Sequence, residues 1–261
     1  MSVVRRSSGS VRGQHFLRSS RLAADLVRDA EFTEADLVVD VGAGTGVLTR
    51  ALADTGAQII AVERDAALAA DLRARFADRA LVSIVEADAL AWDPPVDPFK
   101  VVANLPFAGS GAILSRLLRG TVAQADVIVE WGFAQKHVAV WPSTLKGTYW
   151  RTYYDVAIVR HLDRSAFSPR PAVDAAIVRF TRLPKPLVRA GESDIHWRFL
   201  SYAFRSKSPI RGTLRPLQAN RLAPILGFSL TASARDLDAR QWAAVYSLRR
   251  ARPARGSQRR R

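Results

Sequence analysis

Four short stretches of this 261-residue sequence pair residue types with spacings that could do chemistry, and each closes an apolar run of strand character. The first is Asp40-Val41-Gly42-Ala43-Gly44-Thr45-Gly46. Glycine lets a backbone turn tightly and come close to a ligand, although a purely structural turn would use the same residues. Two nucleotide loops are excluded. A dinucleotide fingerprint needs glycine at 47, where Val47 stands, and no Gly-Lys-Ser/Thr follows to make a phosphate loop. The second is Glu63, whose carboxylate can accept both hydroxyls of a ribose or simply be solvated. The third, Asp88, can accept from the exocyclic amine of an adenine, or cap a turn.

The fourth stretch is Asn104-Leu105-Pro106-Phe107. An amine conjugated to a ring, such as adenine N6, is a poor nucleophile because its lone pair is delocalised. An acceptor pair aimed at its two hydrogens rehybridises it and raises its electron density. The side-chain oxygen of Asn104 and the carbonyl of Leu105 can form that pair. Pro106 lacks an N–H and fixes the turn. Phe107 can stack on an extruded base, worth about 1–3 kcal/mol. No strong general base is required, since the alkylated nitrogen is acidic. The bland alternative is a strand-end turn with a core phenylalanine.

These stretches need a frame that brings strand ends together. Ser19 or Ser20 can cap a helix starting near Arg21. Strands are expected at 37–41, 58–63, 81–85, 100–103 and 127–130, with helices at about 47–56, 66–79 and 111–119 between them. Such alternation predicts an α/β fold with a mostly parallel sheet. A late strand pair, 153–160 and 175–181, predicts an antiparallel edge. Beyond Leu183-Pro184-Lys185-Pro186 the pattern turns helical, at 193–206, 213–226 and 236–248, which predicts a small all-helical C-terminal domain.

Charge follows the same division. There are 39 Lys and Arg against 24 Asp and Glu, a net of +15. The leader 1–24 has five arginines and no acid, whereas 25–182 has 17 basic and 20 acidic residues. Residues 183–248 have 10 basic and four acidic, and 249–261 have seven arginines and no acid, reading as a disordered arm. An excess placed this way suits a phosphate-rich partner. The absence of cysteine excludes disulfides, Cys-zinc sites and thiol catalysis. The four histidines are scattered with no metal-ligand or hydrolase spacing, and no metal is expected. With no apolar run of membrane length and no secretory signal, a cytoplasmic, monomeric protein is expected.

The glycine loop with its acid two residues earlier resembles motif I of S-adenosylmethionine (SAM)-dependent methyltransferases, and Asn104–Phe107 resembles their motif for conjugated amines. Gln14-His15-Phe16-Leu17 is similar to the Q-N-F-[LI] signature of ribosomal RNA adenine N6-methyltransferases, the family of the Erm resistance enzymes and the KsgA/Dim1 dimethyltransferases. Glu130-Trp131-Gly132-Phe133-Ala134 and Phe167-Ser168-Pro169-Arg170-Pro171-Ala172-Val173-Asp174 resemble its later segments. The match spans about residues 10–248. It implies a Rossmann-like SAM-binding sheet over 25–182 and an RNA-binding helical domain over 183–248. It further implies that Gln14, His15 and Leu17 meet the methionine end of SAM, that Gly42 and Gly44 lie beneath it, that Glu63 holds the ribose, Asp88 and Ala89 the adenine, and that Asn104 serves both cofactor and acceptor.

His15 departs from the usual Asn, which a backbone contact would survive, and Phe107 replaces a common Tyr, keeping the stack. Phosphate contacts are expected from Arg5, Arg6, Arg12, Lys136 and Arg164, and Trp131 is a candidate lining residue. Glu130–Ala134 resembles the Erm form, which implies an adenine of 23S rRNA and resistance to macrolides, lincosamides and streptogramin B. Ala203-Phe204-Arg205-Ser206-Lys207 is loosely KsgA-like, which would imply small-subunit rRNA. A DNA adenine methyltransferase, or an RNA-binding factor on an inactive fold, stands as a further alternative.

Overall fold

The computed structural model describes residues 15–250; Arg5, Arg6, Arg12, Gln14 and the tail arginines from Arg252 on lie outside them. In chain order the elements are β1 (Phe16–Leu17), α1 (Ser20–Asp29), β2 (Leu37–Val41), α2 (Val47–Ala53), β3 (Gln58–Glu63), α3 (Ala66–Arg75), β4 (Val82–Glu86), β5 (Phe99–Asn104), α4 (Ser110–Leu117), β6 (Val122–Glu130), α5 (Trp131–Val138), α6 (Leu145–Tyr153), β7 (Tyr154–Leu162), β8 (Phe167–Ser168), β9 (Ala175–Arg182), α7 (Ser193–Arg205), α8 (Pro209–Thr213), α9 (Pro216–Leu226) and α10 (Ala239–Arg250).

Seven strands form one sheet in the order β4-β3-β2-β5-β6-β9-β7, mostly parallel with an antiparallel edge. In the parallel part, Val39 lies opposite Ile60 on one side and Val101 on the other. The central strands are covered on both faces, which is why they read as near-continuous apolar runs; Val38, Val39, Val101 and Val102 are fully buried. From β2 the chain builds outward through β3 and β4, then returns to β5 on the other side of β2. That reversal opens a crevice at the carboxyl ends of β2 and β5, the usual ligand position in such sheets. Helices start where the sequence caps them. The Ser19 hydroxyl accepts from Leu22 N–H at 3.2 Å, and Asp65 accepts from Ala67 and Leu68 N–H at 2.9 and 3.0 Å.

The chain groups into two units, 15–134 with Ala157–Phe180, and Gln135–Val156 with 181–250. This differs from an uninterrupted catalytic domain over 25–182. Segment 135–156 joins the C-terminal helices because α6 buries Tyr149, Trp150 and Tyr153 there, and Tyr149 and Tyr153 pack on His196 of α7. The leader boundary at 24 falls inside α1, which Ser19 starts. The expected helix 213–226 is two, α8 and α9, because Arg215 is extended before Pro216 (φ −69°, ψ 150°). Arg249 and Arg250, assigned to the tail from sequence, form the last turn of α10, where cations favour the helix dipole.

Candidate active site

The crevice is built by four strand ends. After β2 the loop turns through Gly42 and Gly46, both left-handed (φ +75° and +76°), a conformation that favours glycine. Their roles differ. A Cβ on Gly46 would stand 2.5 Å from Leu72 Cδ2, so this glycine seats the loop on α3; one on Gly42 would meet nothing within 4 Å, leaving open space for a ligand. Gly42 and Ala43 N–H both donate to Val62 O, at 2.8 and 3.1 Å, tying the loop to β3. Beneath the loop Asp40 is fully buried and accepts the Thr49 hydroxyl at 2.6 Å. Burial raises its carboxyl to about 7, aided by the charge of Glu63 and opposed by the Thr49 bond.

Glu63 is buried at the end of β3. Its Oε2 accepts Gly44 N–H at 2.8 Å and its Oε1 accepts Asp65 N–H at 2.9 Å. Two donors fix the carboxylate, and each oxygen keeps a further lone pair, so a pair of vicinal hydroxyls has acceptors waiting. Asp88, just past β4, is exposed, and its Oδ1 accepts Leu90 N–H at 2.8 Å.

At the end of β5, Asn104 Nδ2 donates to the His15 carbonyl at 2.6 Å. The segment holding His15 is itself anchored. β1 pairs antiparallel with β8, Phe16 opposite Ser168 and Leu17 opposite Phe167, and His15 Nδ1 donates to Pro169 O at 2.8 Å. Phe107 packs on His15, with ring centroids 5.4 Å apart, and meets Phe167 edge-on at 6.3 Å. Gly109 and Ser110 N–H close the turn onto Pro106 O at 3.0 and 2.9 Å. Two motifs 150 residues apart in sequence therefore brace the Asn104–Phe107 segment.

One cavity is lined by His15, Gly42, Gly44, Glu63, Asp88, Ala89 and all of Asn104, Leu105, Pro106 and Phe107. Leu17 does not line it; pairing with Phe167 turns its side chain into the core. Trp131 does not line it either, and stands edge-on to His161 at 4.8 Å. Arg164 is exposed, but its guanidinium donates to Ala172 O at 3.1 Å. Lys136, expected on the same face as Arg164, is an exposed residue of the second unit. The sequence reading missed the apolar wall of Val62, Ala87, Leu90 and Ile113 and the cation of Arg64; most adjoin a residue already singled out, which is the signal that could have found them.

The residues fit SAM. The buried, doubly anchored Glu63 suits a ribose, the open space at Gly42 suits close ligand approach, and the polar groups sit among apolar walls as in small-molecule sites. Among the described residues no group of three or more His, Cys, Asp or Glu could hold a metal ion, and no helix is long and apolar enough to cross a membrane.

Residues 9–221 match the family described as ribosomal RNA adenine dimethylase. The chain belongs to that family. It is a family of SAM-dependent methyltransferases, so the chain is an enzyme of that class. Relatives of this chain include an rRNA adenine N-6-methyltransferase of Bacillus licheniformis, 29% identical over 93% of this chain and 88% of the relative. A ribosomal RNA small subunit methyltransferase A of Acaryochloris marina is 32% identical over 89% of this chain and 93% of the relative. The crystal structure of the 23S rRNA methyltransferase ErmE superposes with a TM-score of 0.76 at 25% identity, covering 89% of this chain and 98% of that one.

Proposed function

We propose that the protein transfers one or two methyl groups from SAM to N6 of a specific adenine in 23S rRNA, and so confers macrolide, lincosamide and streptogramin B resistance. The observation that carries the chemistry is the Asn104 amide, held by the His15 carbonyl in the same cavity as Glu63 and Phe107. The Erm branch is supported by Glu130-Trp131-Gly132-Phe133-Ala134 and by the likeness to ErmE along nearly all of that chain.

In this reading Glu63 accepts the ribose hydroxyls, Asp88 and Ala89 face the adenine, and the loop at Gly42 and Gly44 approaches the methionine portion, with His15 beside it. The bound cofactor supplies an electrophilic methyl group on a sulfonium. With its nitrogen turned to His15, Asn104 presents Oδ1 to the acceptor amine, and the Leu105 carbonyl accepts the second hydrogen. Phe107 stacks on the base. The chain's contribution is positioning and fixed dipoles, and the proton leaves an already acidic nitrogen without a dedicated base. Phosphates are met by Arg5, Arg6, Arg12, Lys136 and Arg164, which set register, while the cavity sets base identity. The protein works as a cytoplasmic monomer.

A second reading, a small-subunit rRNA dimethyladenosine transferase, is favoured by Ala203–Lys207 and by relatives such as the Acaryochloris protein. Expression in a macrolide-susceptible host, with primer extension across both rRNAs, separates the two. Resistance is expected, with a stop in 23S rRNA where two methyl groups are added; a single methyl group keeps one N6–H, lets primer extension pass, and is read by mass spectrometry of the same RNA. Unchanged sensitivity with a stop in small-subunit rRNA would replace the first reading by the second.

A further inference from the structure

Outside the active site, the second unit holds an open cleft between α7 and α10, lined by Ile195, Arg198, Phe199, Tyr202, Tyr246, Arg249 and Arg250. Its volume of about 550 Å³ lies in the range of small-ligand sites. The composition follows from helical spacing. Residues 195, 198 and 202 share one face of α7, and 246, 249 and 250 share one face of α10. Phe199 and Tyr246 form the floor, both buried, with rings 5.3 Å apart. Tyr202 stands 52% exposed at the rim, an unusual exposure for a large ring. Arg198, Arg249 and Arg250 are exposed around it. The Arg249 guanidinium lies 5.8 Å over the Phe199 ring. Among the described residues Glu192 is the one carboxylate bonded here; it accepts from Tyr246 OH at 2.9 Å and stands 3.7 Å from Arg250. It offsets one of three positive charges and leaves Arg198 and Arg249 without a carboxylate partner among the described residues.

Exposed guanidiniums grouped with an exposed ring match what binds an unpaired nucleotide. Arginine forks take phosphate oxygens, and an aromatic face takes a base of any identity. A protein partner with acidic side chains would satisfy the arginines but not explain the ring. The sequence adds to the argument, since α10 runs directly into Arg252, Arg255, Arg259, Arg260 and Arg261. We infer that the α7–α10 cleft is a second RNA contact, binding the phosphates of an unpaired strand through Arg198 and Arg249 and stacking one base on Tyr202. The inference rests on the reading of rRNA as substrate. RNA binding by the C-terminal helices is already what the family resemblance implies; the inference adds the cleft and the residues that make the contact.

The test uses the full chain and three variants, R198Q/R249Q, R198K/R249K and Y202A, all at exposed positions. RNA affinity is measured by filter binding over a range of salt, alongside SAM affinity and methyl transfer. R198Q/R249Q should lower the salt slope by about 1.4, at about 0.7 per lost single-strand contact. The Lys pair should restore the slope. Y202A should weaken binding about five- to hundredfold without changing the slope. KM for RNA should rise in R198Q/R249Q and Y202A while kcat at saturating RNA and SAM affinity stay at the wild-type level. An unchanged slope and affinity in R198Q/R249Q would overturn the inference, as would displacement of RNA by polyglutamate as readily as by single-stranded RNA. If the wild type methylates no rRNA, the proposed function fails; the cleft is judged separately, by whether the variants lose RNA binding that the wild type shows.

Discussion

Asn104 Nδ2 donates to the main-chain carbonyl of His15 at 2.6 Å. A carbonyl can only accept, so the bond settles which end of the amide carries nitrogen. Oδ1 is thereby the end left free to act as an acceptor. The donor stands at the end of β5, and the acceptor precedes a two-residue strand locked to β8. The Asn104 amide is thus oriented by backbone rather than by another side chain.

Asn104→Asp tests that orientation. A carboxylate cannot donate to His15 O and would set two acceptors against each other. Methyl transfer should fall by about 10²–10³-fold, as when one fixed dipole is removed from a reacting centre. Single-turnover transfer from labelled SAM checks it; retention of more than a tenth of the wild-type rate would show that the His15 bond does not set the amide.

Glu63→Gln should weaken SAM binding by about ten- to hundredfold, because its single oxygen can accept from Gly44 N–H or from Asp65 N–H but not both, its amide NH2 opposes the other donor, and the charge facing the ribose is lost. Calorimetric titration with SAM reads this directly. RNA affinity should not change, and a parallel loss of both would mean that Glu63 supports the fold rather than the ligand.

Asp40 gives a pH signature. Burial lifts its carboxyl from 3.8 to about 7, so the folded state holds a proton that the unfolded state releases. The stability this confers is complete below pH 4 and lost as pH rises to 7, by up to about 4 kcal/mol. Asp40→Asn cannot titrate. Its stability relative to wild type should climb from pH 4 to 7 and level off above, as measured by denaturant unfolding at each pH. A difference that is flat across that window would contradict the assignment.

Phe107→Ala should raise the KM for RNA and cut transfer in line with the loss of about 1–3 kcal/mol of stacking, whereas Phe107→Tyr should stay near wild type. The ring also meets His15 and Phe167, so thermal unfolding of both variants separates stacking from packing. Equal loss of transfer in Ala and Tyr would remove stacking from the account.

Most of what positions the site was legible in the sequence, for physical reasons. Leu37–Val41 and Gln58–Glu63 are strands buried on both faces, and such runs announce themselves. The acids and the asparagine stand at strand ends, where open α/β sheets place ligands. What was hidden depended on distant partners. Two residues cannot announce a strand, so the β1–β8 pair and the turning of Leu17 into the core appear only when Phe167 arrives from 150 residues away. In sequence, segment 135–156 reads as a continuation of the sheet domain, and only the packing of Tyr149 and Tyr153 on His196 assigns it to the other unit. The α7–α10 cleft likewise needs two faces that no local pattern joins.

Methylation of adenine N6 in rRNA by the Asn104-centred cavity is the step we propose. Its most direct test is mass spectrometry of nucleosides from 23S and small-subunit rRNA incubated with the protein and SAM, beside the same reaction with Asn104→Ala. The account predicts N6-methylated adenosine in a single 23S fragment with the wild type, and none with the variant. Methyl groups on another atom or base, or an equal yield from Asn104→Ala, would contradict it.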